Sequence, residues 1–416
     1  MQPQNPQSRK RGQDVSEVES SRTASLIDAM MANIQLEEKL TSKTMLQRFF
    51  SMGSIISTSS SFANRQQDAI GTRSQYRSIG SGTCGQVFEV PGTTYVFKLA
   101  KHPGKETDTL WNDYRQHLKI QEVFDKLGRS ELQVRTPRVW HFVNMDDEAW
   151  WMQNKDRFPK TAADWTNLLC TERILPIPRP LRESLIEEYC PEKGIQQAKE
   201  MEENKDCLVR LYLGKRRSRV NTSFFSLRNF CLHLDQMEEL ELKIDQFATT
   251  MAEALAVMHW ACRLDANDVE FVVGSAPDIS AEPNLIVPKP LTSSEINKME
   301  PNTSTWNAHT NDFKQRQIHI WMLDFNRCRP FQPDNLTPLV DAFFLNDPYY
   351  PRPHSPKARD QYLWTLFRKT YEQCSQKSLK WHKMDVQFLK LPGQVMDMVE
   401  ERQKARVEVQ QSLNQP

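Results

Sequence analysis

Short apolar runs separated by turn residues open the part of the chain that reads as folded. QVFEV at 86–90 and TYVFKLA at 94–100 are rich in β-branched and aromatic residues, as strands are. Pro91 and Gly92 lie between the two runs and suit a hairpin turn. The pattern therefore predicts two antiparallel strands joined by a tight turn.

A helix is predicted next, over Asp108 to Leu127, because apolar residues recur on one broad face and Gly128 is a fitting stop. RVWHFVN at 138–144 is a further strand candidate, and LLCTERILPIP at 168–178 reads as a strand that runs into a proline-rich connector. This β-β-α-β-β order predicts a small β-rich lobe over residues 76–175.

Helical patterns dominate the rest of the chain. A buried helix is predicted over about Leu242 to Trp260, and QYLWTLFRKTYEQC at 361–374 is the last strong helical pattern. A polar tract at 276–317, rich in proline and serine, indicates an exposed insertion, after which IHIWMLDF at 318–325 resumes the fold. We predict a larger, mainly helical lobe over 176–395 and a polar helical tail over 396–416, so the fold class is α+β with two lobes.

Residues 1–75 read as a mostly disordered leader with one amphipathic helix, in which Leu26, Met30 and Ile34 recur every four residues. Lys plus Arg (54) nearly balances Asp plus Glu (53), which argues against a nucleic-acid partner. No apolar run reaches the roughly 18 residues of a membrane span, so no membrane partner is expected. A cytoplasmic or nuclear location is predicted.

The eight cysteines are scattered and contain no CxxC pair, so they read as reduced thiols rather than as a zinc site. His259, at the end of an apolar helix, reads as a core or helix-capping histidine. Zinc binding or a nucleic-acid-associated regulatory role is therefore only a remote alternative.

The glycines of IGSGTCGQVFEV are the most informative residues for chemistry. Gly80, Gly82 and Gly85 follow the spacing G-x-G-x-x-G and lead into a strand rather than a helix. Glycines at this spacing let a hairpin bring backbone N–H groups close to phosphate oxygens. The strand context disfavours a dinucleotide-binding turn and favours a loop that covers phosphates.

Lys98 lies inside the apolar strand YVFKLA and needs an anionic partner, either a ligand phosphate or a carboxylate on the following helix. Asp113 is the preferred helix partner, with Glu106 and Glu122 as alternatives. A strand-edge lysine that reaches into solvent is the plainer interpretation.

Four segments resemble, in order, the Gly loop, the strand lysine, the catalytic loop and the metal-binding segment of protein kinases. They are GSGTCGQVFEV, YVFKLA, LDANDVEFVV and MLDFN. The chain also looks like a member of an uncharacterised filamentous-fungal domain family that is often labelled zinc-finger protein, with CLVRLYLGKRR at 207–217 among the segments that carry the likeness. These resemblances imply a kinase-like, ATP-binding intracellular protein or a pseudokinase.

The resemblance assigns a role to each matching position. Asp265 takes the place of the catalytic aspartate and Lys98 that of the phosphate-contacting lysine, while Asp324 and Glu270 take the places of the Mg²⁺ ligands. Glu172 falls where the interlobe hinge would start, so that the backbone there meets a base. The implied cofactors are ATP and Mg²⁺.

The departures from the kinase pattern concern catalysis. Arg263 and Leu264 stand where His-Arg is usual, a glutamate replaces the metal-binding asparagine, and no APE-like segment follows Asp324. Two functions therefore stay open. One is a divergent or non-catalytic module that holds a nucleotide, or presents its surfaces to a protein partner. The other is an ATP- and Mg²⁺-dependent phosphotransferase acting on a small-molecule or protein hydroxyl.

Overall fold

The computed structural model describes residues 41–50, 55–57, 61–70, 72–82, 85–101, 109–128, 132–162, 164–217, 225–277, 297–298, 301, 315–381 and 386–413. The expected leader helix around residues 26–34, the alternative partner Glu106 and most of the expected insertion lie outside these residues. Within them the chain is mixed α+β with two sheets, which confirms the α+β part of the prediction.

The first sheet has five antiparallel strands in the order β2-β3-β4-β7-β6. Their bounds are β2 Arg77–Ser81, β3 Gly85–Glu89, β4 Tyr95–Ala100, β6 Val139–Val143 and β7 Leu168–Glu172. Helix α3, Thr109–Leu127, packs against β6 and β7 and buries Leu110 among Ala100, Val139 and Leu169. The strands and this helix form where the apolar runs predict them.

The second sheet has the order β1-β11-β10-β8-β9, with β5 pairing in parallel with β11. The strand bounds are β1 Ile55–Ser57, β5 Val134–Arg135, β8 Val209–Tyr212, β9 Cys231–His233, β10 Glu270–Pro277 and β11 Gln315–Leu323. The ladder between β10 and β11 runs from Glu270 opposite Leu323 to Pro277 opposite Arg316. The two ends of the tract expected to be an insertion, 276–317, are therefore strand.

Helices cover the second sheet and supply the larger core. The remaining bounds are α1 Ser42–Phe49, α2 Ser61–Asp68, α4 Glu148–Asn154, α5 Arg179–Tyr189, α6 Ile195–Glu200, α7 Leu234–Glu239, α8 Ile244–Ala256, α9 Thr337–Leu345, α10 Ala358–Trp381 and α11 Leu391–Leu413. A π-helical turn, Val257–Ala261, extends α8 and places His259 against the Tyr371 hydroxyl, 2.8 Å from Nδ1. His259 is 1% exposed, so it lies in the core.

The chain passes from the first sheet to the second directly after β7. The Arg173 N–H donates to the Thr94 carbonyl of the first sheet at 2.7 Å. Two residues later, Leu175 and Ser275 exchange backbone hydrogen bonds of 2.9 and 2.8 Å, which joins the connection to β10. This short bonded crossing holds the two sheets next to each other and forms one side of the cleft between them.

None of the helices in the described ranges combines the length and the apolar character that crossing a bilayer requires.

Candidate ligand-binding cleft

A cavity of about 300 Å³ lies between the two sheets. Its walls come from β2, β3, β4 and β7 of the first sheet, from the crossing after β7, and from β8, β10 and β11 of the second sheet. Apolar side chains line part of it: Val87, Val96, Leu169, Leu208, Val272 and Leu323. Charged side chains line another part: Lys98, Asp113, Asp206, Arg210, Glu270 and Asp324.

The glycine hairpin lies at the edge of this cavity, and Gly80, Gly82 and Gly85 all line it. The Gly82 N–H donates to the Gly85 carbonyl at 2.9 Å, and the Lys101 ammonium donates to the Gly82 carbonyl at 2.5 Å. The glycines differ in the space that each leaves for a Cβ atom. A Cβ at position 85 would lie 2.5 Å from the Leu99 carbonyl oxygen, whereas one at position 82 would meet no atom within 4 Å.

Lys98 connects the two halves of the cleft. Its Nζ donates to Asp113 Oδ2 at 2.8 Å and to Asp324 Oδ1 at 2.9 Å. Burial alone would lower the pKa of Lys98, but the Asp113 and Asp324 carboxylates outweigh it and hold the pKa above its ordinary value. Asp113 is the helix partner in the structure, while Glu122 of the same helix is exposed.

Helix α3 fixes the segment that carries Asp324. The Asp113 carboxylate accepts the Phe325 N–H at 3.2 Å, and the Asn112 amide donates to the Asn326 carbonyl at 2.8 Å. Asp324 has a φ of 64°, a left-handed conformation that aspartate tolerates better than most residues. The backbone around Asp324 is therefore pinned in the position that sends its carboxylate to Lys98.

Glu270 lies in the same cavity but is engaged by an arginine. The Arg210 guanidinium donates to Glu270 Oε1 at 2.5 Å and to Asp347 Oδ2 at 2.8 Å. Burial raises the pKa of Glu270 to about 7, with Arg210 lowering it and Asp324, Asp347 and Asp268 raising it further. A Mg²⁺ ion at Glu270 would therefore have to compete with Arg210 for the carboxylate.

Asp265 does not line the cavity. It is 6% exposed, and its Oδ1 accepts the backbone N–H groups of Arg329 at 2.9 Å and Asn267 at 3.1 Å. Burial raises the pKa of Asp265, while those two N–H groups lower it. In the structure this carboxylate holds two loops together instead of facing the ligand space.

Asp268, in the same LDANDVEF segment, was not singled out from the sequence. Burial first, and then repulsion from Asp324, raise its pKa, while Arg327 and Lys98 lower it. It has a φ of 64°, and its carboxylate lies 3.4 Å from Arg327 Nε. The sequence feature that could have indicated Asp268 is its position between the two predicted site carboxylates, Asp265 and Glu270.

Glu172 lies at the end of β7, where the chain starts to cross between the sheets, and it lines the cavity. Its carboxylate accepts the Arg138 N–H at 2.9 Å. Glu172 therefore lies next to the crossing between the two sheets.

A buried ion network on the same side of the cleft was missed from the sequence. Arg77 donates to Glu89 at 2.7 Å and to Asp206 at 2.6 Å, and Arg173 contacts both carboxylates. Arg77 and Glu89 belong to the first sheet, Arg173 to the crossing, and Asp206 to the segment before β8. Charged residues inside apolar strands are the signal that could have shown it, as for Arg210 in CLVRLYLG.

Comparison with known proteins gives one family match. The family DUF3669, described as a zinc finger protein, matches residues 320–383. No curated protein matches the chain. The expected assignment to a kinase-like family, with its pseudokinase and ATP-binding character, is wrong on this comparison, because the match is to the zinc finger family and not to a kinase family.

The zinc finger description can be tested against the side chains of the matched segment. Cys328 is buried and contacts the Asn267 carbonyl, Cys374 lies in helix α10, and His354 is exposed. Among the residues that the structure describes, no group of three His, Cys, Asp or Glu side chains could hold a metal ion. The described residues of this chain therefore do not fit a zinc site, although the segment belongs to the part matched by the family.

Proposed function

We propose that the two sheets belong to two lobes of a protein-kinase-like arrangement and that the cleft between them binds a phosphate-bearing ligand of the nucleotide type. The observation that carries it is that Lys98 contacts Asp324 at 2.9 Å inside a cavity that the glycine hairpin also lines.

The cleft offers separate surfaces to the separate parts of such a ligand. The Lys98 ammonium and the backbone of the glycine hairpin supply positive charge and N–H donors for phosphate oxygens. Val87, Val96, Leu169 and Leu323 supply apolar walls that suit the flat faces of a base. The crossing after Glu172 brings main-chain groups next to these walls.

Binding without phosphoryl transfer is the favoured function. Asp265, the expected proton acceptor, is held by the Arg329 and Asn267 N–H groups, and Glu270 is held by Arg210. Both carboxylates are thus occupied by groups of the protein itself. A module of this kind would act by changing what its surface offers to a protein partner when the cleft is filled.

A phosphotransferase acting on a small-molecule or protein hydroxyl is the second candidate, and Asp268 is the residue that favours it. Its raised pKa reflects burial and the nearby Asp324 carboxylate. Asp268 does not itself line the cavity, but it interacts electrostatically with Asp324 and Lys98, which do. A carboxylate with a raised pKa can act as a proton acceptor. ATP would supply the transferred phosphoryl group, and Asp324 is the carboxylate best placed to meet Mg²⁺ beside its phosphates.

Thermal-shift titration with ATP, with and without Mg²⁺, tests the proposal. A ligand that binds the native state raises the unfolding midpoint, so ATP is expected to stabilise the wild type. Lys98→Met should lose most of that stabilisation. Lys126→Met is the matched control, because Lys126 is exposed and lines neither this cavity nor the other one described below.

Turnover of ATP separates the two candidates. The module predicts equal, background turnover in the wild type and in Asp268→Asn. The enzyme predicts turnover above background that Asp268→Asn reduces by about a hundredfold or more. No thermal shift in the wild type, at ATP concentrations up to about 10 mM, would refute the cleft as a nucleotide site.

A further inference from the structure

A second cavity, of about 330 Å³, lies behind the crossing between the sheets. Three elements build it: the second half of α3 from Gln121 to Gly128, the segment 132–138, and β11 from Gln317 to Trp321. Glu172 is the one lining residue that it shares with the first cavity, among the residues described. The two cavities are therefore separate spaces with a common wall.

Two hydrogen-bond donors in the wall of this second cavity are unused. Trp321 is 1% exposed, and its indole Nε1 has no hydrogen-bond partner within the described ranges. The same holds for Nε of Arg138 in that part of the chain. Buried N–H groups without an acceptor are costly, so each marks a place where an acceptor would add binding free energy.

The Arg138 guanidinium is only loosely engaged by the protein. Its Nη2 lies 3.6 Å from Asp125 Oδ1, beyond hydrogen-bond distance, and the Asp125 side chain is 51% exposed. Arg135 adds a second positive charge, with its guanidinium carbon 5.9 Å from the centre of the Trp321 ring. The side chains of Arg135, Arg138 and Trp321 line this cavity. Phe124 and Leu132 add apolar side chains to its wall.

We infer that this second cavity binds a small carboxylate-bearing molecule. The carboxylate accepts from Arg138 and from the Trp321 indole N–H, and the apolar part of the molecule lies against Phe124 and Leu132. A cavity of about 330 Å³ matches the smaller of the known small-molecule sites. Arginine suits this role because its planar guanidinium can present two N–H groups to one carboxylate.

The wall shared with the first cavity connects this site to the cleft. The Arg138 N–H donates to Glu172 Oε2 at 2.9 Å, and the Glu172 N–H donates to the Arg138 carbonyl at 2.6 Å. A ligand that orders Arg138 therefore orders the end of β7 as well. Exchange of backbone amides with solvent should report this ordering.

Isothermal titration of the full chain with succinate and with citrate tests the inference, and inorganic phosphate serves as a comparison anion. At least one of the carboxylates is expected to bind more tightly than phosphate. Trp321→Phe keeps the ring but removes the N–H, and should weaken binding about fivefold. Arg138→Met should weaken it about tenfold or more, whereas Arg115→Met, at an exposed arginine that lines neither cavity, should leave it unchanged.

Hydrogen–deuterium exchange locates the binding site. It also tests the inference on the wild type if Arg138→Met does not fold. The bound carboxylate should slow exchange at 132–138 and 317–321 and leave 79–82 unchanged. The inference is overturned if neither carboxylate binds at about 10 mM, if phosphate binds equally well, or if binding survives unchanged in Trp321→Phe.

Discussion

Gly82 and Gly85 lie in one hairpin but meet different surroundings, which makes them a matched pair. A Cβ at position 85 would lie 2.5 Å from the backbone oxygen of Leu99, and backbone cannot move aside cheaply. We predict that Gly85→Ala lowers the free energy of unfolding by about 2 kcal/mol. Gly82→Ala has open space and should leave stability nearly unchanged.

Chemical denaturation of the two variants measures this difference directly. Equal stability losses would show that Leu99 does not pack against the hairpin as described. The spacing of the glycines was readable from the sequence, but which glycine is sterically required was not, because it depends on the register between β3 and β4.

Glu270 should make stability depend on pH. Its pKa in the folded chain is about 7, above the ordinary 4.5, so the folded state binds more protons than the unfolded state between these values. The contribution of this group to stability is therefore fully present below about pH 4.5 and is lost as the pH rises to about 7. Glu270→Gln cannot titrate and should not show this loss.

Thermal unfolding of both proteins from pH 5 to pH 8 provides the measurement. The wild type should lose stability relative to Glu270→Gln as the pH rises, by about 1 to 3 kcal/mol over the whole interval. If the difference in unfolding free energy between the two proteins stayed constant over this pH range, the pKa of Glu270 would not be raised in the folded state.

Candidate site residues could be chosen from the sequence where a charged residue interrupts an apolar strand or lies on a neighbouring helix. Lys98 inside an apolar strand and Asp113 on the next helix are of this kind, and the structure places them 2.8 Å apart. Arg210 and Asp347 could not be paired in this way, because 137 positions separate them along the chain. The wrong family assignment rested on short motifs, whereas the family match over residues 320–383 is to the zinc finger family.

At the scale of elements, ionic contacts fasten the first sheet to the second. Burial would raise the pKa of Glu89, but Arg173 and Arg77 outweigh it and hold the pKa below its usual value. Arg173 is almost fully buried and shares Glu89 and Asp206 with Arg77. Removal of one carboxylate leaves the positive charge of a buried guanidinium partly unbalanced, which lowers the free energy of unfolding.

We predict that Asp206→Asn lowers the free energy of unfolding by about 2 kcal/mol and speeds amide exchange at Arg173 to Leu175, where the chain crosses between sheets. Asp156→Asn, at an exposed aspartate, is the control and should change neither quantity. Faster exchange in both variants, or in neither, would mean that the network does not hold the crossing.

The strands and long helices could be predicted from hydrophobic periodicity, because each buries one face and its apolar residues recur at the matching spacing. The predicted helix over 108–127 is Thr109–Leu127 in the structure, QVFE of the first apolar run lies in β3, and YVFKLA forms β4. The continuation of β10 and β11 into the Pro- and Ser-rich tract could not be predicted in this way. Their long pairing decides it, and local composition does not record pairing between distant segments.

At the scale of the whole molecule, the two sheets and their helices place residues from distant parts of the chain around one cavity. Lys98 and Asp324 are 226 positions apart in the chain, yet their charged groups are 2.9 Å apart. The sequence could suggest that such residues meet, but only the path of the chain between the sheets brings them together. The same path creates the second cavity, which no motif indicated.

Hydrogen–deuterium exchange of the full chain with and without ATP, in the presence of Mg²⁺, is the most direct test of the cleft. A ligand held by both sheets should slow exchange at 79–82, at 96–98 and at 323–324, three separate segments that carry lining residues of the cavity. Slowed exchange only outside these segments, or no change at saturating ATP, would contradict a shared nucleotide site between the two sheets.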